Sequence, residues 1–198
     1  LDVIESIEPA VMVRDRAIFE FMYISGVRVG EVVKLNIEDV DFEKEEVMIR
    51  DGKGSKDRIV PLGTLSKKYM LEYLRCYRKH FLGSGQEEKA LFISKCGKKR
   101  ITVGLIEVQF RKYCKQAKLK KHLTPHCIRH TMTTHLLEGG ADIKHVKELL
   151  GHKSIETTVV YTHYLVDSIK RIFRKYHPRE SELYEEVSQE LKEAVKKL

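Results

Sequence analysis

The sequence predicts a mainly α-helical domain with a small antiparallel three-stranded β-sheet. Three observations predict it. Apolar residues recur at helical spacing along most of the chain. The period shortens between residues 46 and 62, where two short β-prone runs flank a glycine-rich, charged stretch. Composition, at 42% hydrophobic and 33% charged over 198 residues, is that of one folded domain rather than a disordered or collagen-like chain.

In order, Ala17, Ile18, Phe21 and Met22 form one face of a first helix that stops near Ser25-Gly26. A second helix begins around Arg28 and runs toward Leu35. Glu46–Arg50 reads as a strand and Arg58–Leu62 as its partner, with Asp51-Gly52-Lys53-Gly54-Ser55-Lys56-Asp57 as the hairpin between them. Thr64 to about Phe81 returns to helix. Leu91-Phe92-Ile93 reads as a short third strand, and Ile101–Lys118 as a helix with a basic face. Thr124-Pro125 marks a helix start, an N-cap hydroxyl before a proline at the first helical position, and that helix ends at Gly139-Gly140. Ile143, Val146, Leu149 and Leu150 mark another helix, closed by Gly151. A short helix start or turn follows over 154–161, and a further segment over 166–175. Pro178 then breaks the chain, and Leu183, Val187, Leu191, Val195 and Leu198 form one stripe of a terminal amphipathic helix. The domain is thus expected over residues 1–178, with residues 179–198 as a C-terminal helix.

Charge narrows the choice of partner. The net charge is +8, and residues 95–121 hold ten basic side chains against one acidic. Residues 181–198 carry five Glu and three Lys, so the other 180 carry +10. A basic body with an acidic tail suits a polyanion. The gaps of 20, 18 and 13 between Cys76, Cys96, Cys114 and Cys127 fit no zinc motif, and neither His122, His126 and His130 nor any acidic cluster reads as a metal site. No signal sequence and no run of ~18–20 apolar residues is visible, so a reduced, cytoplasmic setting is expected. The first residue is Leu1 rather than Met.

His126 and Arg129 fall on one helical face, and His152 and Tyr161 follow at intervals. Each alone is unremarkable, since such a Tyr usually packs and a His after a helix-stopping Gly usually caps. Together the run Thr124-Pro125-His126-x-x-Arg129-His130-Thr131, then Glu148-Leu149-Leu150-Gly151-His152-x-Ser154, then Thr157-Thr158-x-x-Tyr161-Thr162-His163 resembles the signature of tyrosine recombinases of the Xer and phage-integrase family. Upstream, Ser25-Gly26-Val27-Arg28-Val29-Gly30-Glu31 resembles that family's first arginine box, and Gly52-Lys53-Gly54-Ser55-Lys56-Asp57-Arg58 its catalytic hairpin. The resemblance spans about residues 10–165.

It implies the fold of that family's catalytic domain, with Arg28, Lys53, His126, Arg129 and His152 around the nucleophile Tyr161 and Glu31 as a supporting carboxylate. It implies cleavage and rejoining of double-stranded DNA through a 3′-phosphotyrosine, without metal, ATP or other cofactor. Two arginines can meet the non-bridging phosphate oxygens with bidentate donors. At a reference pKa near ~10, only about one Tyr in a thousand is ionised at pH 7, so Tyr161 needs a cationic pocket or a base. Lys53 would protonate the leaving 5′-hydroxyl, and the histidines would add donors. Lys56, Arg58, Lys98, Lys99 and Arg100 are expected to contact DNA. The family's N-terminal DNA-clamping domain has no room before Arg28. Self-association on DNA into a tetrameric synapse, with the C-terminal helix docking on a neighbouring protomer, is also implied; the alternative is that this helix folds back on its own domain. Two other readings compete: a type IB topoisomerase-like nicking-closing enzyme, and a non-catalytic DNA-binding relative. The Gly151-His152-x-Ser154 and Thr157-Thr158-x-x-Tyr161 boxes weigh against the first, and retention of Arg28, Arg129 and Tyr161 weighs against the second.

Overall fold

The computed structural model describes residues 9–50, 57–82, 88–96, 99–119 and 123–143, with Val146, Leu150, Arg171 and Lys175. Lys53, Lys56, Lys98, His152, Tyr161 and the C-terminal helix lie outside the described residues.

Helix α1 (Pro9–Ser25) runs through the middle of the fold, packing against the later helices α3 (Thr64–Glu72) and α5 (Pro125–Glu138). The expected apolar face, Ala17, Ile18, Phe21 and Met22, is buried, and so are the polar Arg14 and Asp15, one turn earlier on the same side. A helix covered on several sides must satisfy such groups internally. Arg14 Nε and Nη2 donate to Asp15 Oδ1 at 2.9 and 2.6 Å, and Nη1 donates to Ile93 O at 3.0 Å. The Tyr113 hydroxyl donates to Asp15 Oδ2 at 3.1 Å. Burial nevertheless raises the Asp15 carboxyl above its ordinary range, against the pull of Arg14.

Helix α1 ends where expected, because Gly26 turns the chain with φ +63°. A single turn, α2 (Val29–Val32), follows. It stops short of the expected Leu35 because Asn36 opens a 3₁₀ turn, Ile37–Asp39, whose Asp39 Oδ2 accepts from Asn36 N–H at 2.8 Å. The carbonyls freed beyond α2 are taken by Arg100: Nη1 donates to Val33 O and Leu35 O, each at 2.9 Å, and Nη2 to Asn36 Oδ1 at 2.6 Å.

Among the described residues the sheet has three antiparallel strands in the order β1 (Val40–Asp41), β2 (Glu46–Ile49), β3 (Arg58–Pro61). Val40 pairs with Val47, and Val47 with Val60. The β2–β3 hairpin is as expected, with Ile49 opposite Arg58 beside the turn. The third strand is not. Leu91–Ile93 stays outside the sheet, and Val40–Asp41 takes its place. Leu91-Phe92-Ile93 is fully buried and bent, and beyond an isolated antiparallel bridge from Ile93 to Arg100 its backbone groups go to separate partners. Leu91 N–H bonds Leu35 O at 2.9 Å, Ile93 N–H bonds the Tyr73 hydroxyl at 3.0 Å, and Phe92 O receives Ile101 N–H at 3.0 Å. An apolar run alone cannot distinguish a strand from a buried connector.

The helix predicted over 64–81 changes type along its length. It is α-helical over Thr64–Glu72 (α3), then a π turn over Tyr73–Tyr77, then 3₁₀ over Arg78–Phe81. Helix α4 (Val103–Gln116) starts at Thr102, whose Oγ1 accepts Leu105 N–H at 3.3 Å. Helix α5 has Pro125 at its first position as expected, but the Thr124 hydroxyl makes no capping hydrogen bond and lies 4.0 Å from Cys127 Sγ instead. Gly139 and Gly140 close the helix.

Candidate active site

The sequence places Arg28 and Arg129 far apart, and the fold joins them through backbone. Arg129 lies one turn into α5, buried, and reaches across to the end of α1. Its Nη1 donates to Gly26 O at 2.5 Å and its Nη2 to Leu150 O at 2.7 Å. Gly26 is two residues before Arg28, so the second arginine is tied to the turn that carries the first. Glycine is needed at that turn twice over. Its φ is left-handed, and a Cβ there would sit 2.1 Å from Met132 Cε and 2.9 Å from Leu150 Cδ2.

Glu31 organises the other half. Its Oε2 accepts the Arg28 backbone N–H at 2.7 Å, which caps α2, and its Oε1 lies 3.4 Å from Arg28 Nη1. From β3, Arg58 Nη1 and Nη2 donate to Glu31 Oε1 and Oε2, both at 2.8 Å, in a buried bidentate pair. Burial works to raise the Glu31 carboxyl, and the Arg58 hydrogen bonds, the Arg28 N–H and the two positive charges outweigh it, holding it below the usual carboxylate range. The Arg28 guanidinium itself is 52% exposed. Burial, then repulsion from Arg28 and Arg58, pull Arg129 down to about 10 against the attraction of Glu31.

Three guanidiniums around one carboxylate leave a net charge near +2 with an exposed donor set at Arg28, an arrangement suited to an oxyanion. Arg129 uses two of its five N–H donors on the carbonyls, so three remain. His126 lies exposed in the first turn of α5, one turn before Arg129.

Two expected DNA contacts are corrected by this geometry. Arg58 is 5% exposed and bound to Glu31, so it cannot present its fork to a phosphate. Arg100 is bound to the three acceptors after α2. Lys99 is exposed. The signal for Arg58 was in its strand: with a period of two it shares a face with Val60, which is fully buried. No sequence signal marks Arg100, Gly26 O or Leu150 O as partners.

Residues 2–167 match the family model described as the phage integrase family. The chain is 40% identical over 165 residues to tyrosine recombinase XerC of Chlamydia caviae, covering 83% of this chain and 52% of that protein. The crystal structure of XerA recombinase is 34% identical, with a TM-score of 0.63 over 84% of this chain and 59% of that one. XerH site-specific recombinase, solved bound to a palindromic difH substrate in a post-cleavage complex, is 25% identical with a TM-score of 0.64 over 85% of this chain and 47% of that one. The chain spans about half the length of the curated relatives it matches.

Proposed function

The chain belongs to the phage integrase family, and on that premise we propose that it is the catalytic part of a site-specific tyrosine recombinase acting on double-stranded DNA in the cytoplasm. The observation that carries the reading is the joining of Arg28 and Arg129 around Gly26 and Glu31, with Arg28 left exposed.

The chemistry follows from charge. The Tyr161 hydroxyl passes its proton to a nearby base as its oxygen attacks the scissile phosphorus, the bond to the 5′-oxygen breaks, and the phosphate stays joined to the protein as a 3′-phosphotyrosine. Negative charge grows on the non-bridging oxygens, where Arg28 and Arg129 supply fixed donors and His126 and His152 supply further ones. The 5′-oxygen leaves with a proton from Lys53. A 5′-hydroxyl of a second strand then reverses the reaction, so the bond energy is conserved and no energy source is consumed. Four such protomers would assemble the synapse, linked through the C-terminal helix of residues 179–198. XerH bound to its difH substrate supports duplex DNA as the partner. The named relatives are recombinases, which favours neither a nicking-closing topoisomerase nor a non-catalytic protein.

The test is covalent capture. Incubation with nicked duplexes carrying a randomised site, followed by denaturing electrophoresis, should yield a protein–DNA adduct whose recovered DNA defines the target. Tyr161→Phe should abolish the adduct and Tyr164→Phe should not. An adduct that persists in Tyr161→Phe, or is lost only in Tyr164→Phe, would overturn the assignment.

A further inference from the structure

We infer that Arg58 is a positioning residue that keeps Arg28 available to the DNA phosphate by holding Glu31. The inference rests on the reading that Arg28 meets the scissile phosphate.

Among the described residues Glu31 is the carboxylate that pairs with the exposed arginine, and it is a competitor as well as a support. Its Oε2 fixes the Arg28 backbone through the N–H at 2.7 Å. Its Oε1 already pairs with Arg28 Nη1 at 3.4 Å, a long ion pair that a carboxylate freed from Arg58 would shorten. Arg58 prevents this. Both its terminal nitrogens sit 2.8 Å from the two Glu31 oxygens, so the carboxylate is engaged on its two acceptor edges by a buried guanidinium. Arg28 is left with the longer contact and an exposed side chain. An incoming phosphate therefore competes for Arg28 against a carboxylate already neutralised. Without Arg58, Glu31 would draw Arg28 inward, and its buried charge would lose its partner. Lysine cannot replace the fork, since it offers a point charge rather than two parallel donors. Arg58 also begins β3, so the same pair anchors the start of that strand to the first arginine.

The experiment is single-turnover cleavage of the captured target as a nicked duplex, with the scissile group either a phosphodiester or a methylphosphonate. The methylphosphonate has no charged non-bridging oxygen and so needs Arg28 far less. Arg58→Met should slow phosphodiester cleavage by roughly 10²-fold, the size expected for one lost oxyanion donor. DNA affinity should stay within about threefold, since Arg58 itself does not reach DNA. On the methylphosphonate the loss should shrink to less than about fivefold. Adding Glu31→Gln to Arg58→Met should recover part of the phosphodiester rate, because the competing charge is gone. If Arg58→Met does not fold, Arg58→Lys carries the same comparison of the two substrates. Equal losses on both substrates would mean a merely structural role and overturn the inference, as would no loss on either. The two readings fail separately. An adduct in Tyr161→Phe would overturn the recombinase reading, whereas loss of that adduct with Arg58→Met cleaving like the parent would overturn this inference alone.

Discussion

Replacing Gly26 by alanine should destabilise the fold, and the structure sets the size of the effect. At φ +63° an L-residue costs about 1–2 kcal/mol relative to glycine. The new methyl would also sit 2.1 Å from Met132 Cε and 2.9 Å from Leu150 Cδ2, an overlap that forces rearrangement of a packed interior at about 1–3 kcal/mol. The sum is about 2–5 kcal/mol. For a chain of this size each kcal/mol lowers Tm by about 2–4 °C, so a fall of about 4–20 °C is expected in a thermal melt. The overlap and the backbone strain separate in a double-mutant cycle with Met132→Leu, which has no ε-carbon and costs less than about 1.5 kcal/mol by itself. In that background Gly26→Ala should cost at least about 1 kcal/mol less. A Gly26→Ala protein as stable as the parent, or an equal cost in both backgrounds, would refute the packing argument.

Lys53→Ala should lose cleavage by roughly 10²–10⁴-fold and be rescued by a 5′-phosphorothiolate, whose thiol leaving group hardly needs a proton, while Lys56→Ala should not show that rescue. Neutralising Lys98 and Lys99 together should flatten the log–log salt dependence of DNA binding by ~1–2 units if residues 95–121 face the backbone. Arg100→Ala should leave that slope unchanged and instead lower Tm, because it orphans Val33 O and Asn36 Oδ1 and removes one of the two donors to Leu35 O. The lowered pKa of Glu31 means the unfolded chain takes up its proton first as pH falls. Its contribution to stability is therefore full above the ordinary carboxylate pKa and is lost below it. Glu31→Gln should flatten the fall in stability measured by urea titration below pH ~4.5. Deleting residues 181–198 should leave a folded protein that binds single sites yet fails to form multi-protomer complexes. A large fall in the Tm of the dilute monomer would place that helix in the protein's own core.

Local spacing made most of the helices and the β2–β3 hairpin legible. Gly26 stops α1, Pro125 starts α5 and Gly139-Gly140 ends it, and each acts through its own backbone. The elements that were misread depend on distant partners. Leu91–Ile93 has the composition of a strand, but Leu35, Tyr73 and Arg14 take several of its backbone groups and leave it a single isolated bridge to Arg100. The second helix stops early because Asn36, Asp39 and Arg100 offer its carbonyls and amides other partners.

The same division runs through the site. Resemblance to a known family's short motifs singled out Arg28, Glu31, His126 and Arg129 as candidates, and the fold brings Arg28, Glu31 and Arg129 together. Whether an arginine faces solvent or interior is not in its type. Arg28, Arg58, Arg100 and Arg129 carry the same charge, yet Arg28 is exposed while Arg58 is closed on Glu31 and Arg100 on the end of α2. That choice depends on which acceptors the fold brings within hydrogen-bond reach, and those acceptors come from residues tens of positions away. Sequence alone therefore determined the chemical repertoire of this chain, and the tertiary structure decided which of these arginines stays exposed and which hold the protein together, since burying a guanidinium is tolerable only where the fold supplies its partners.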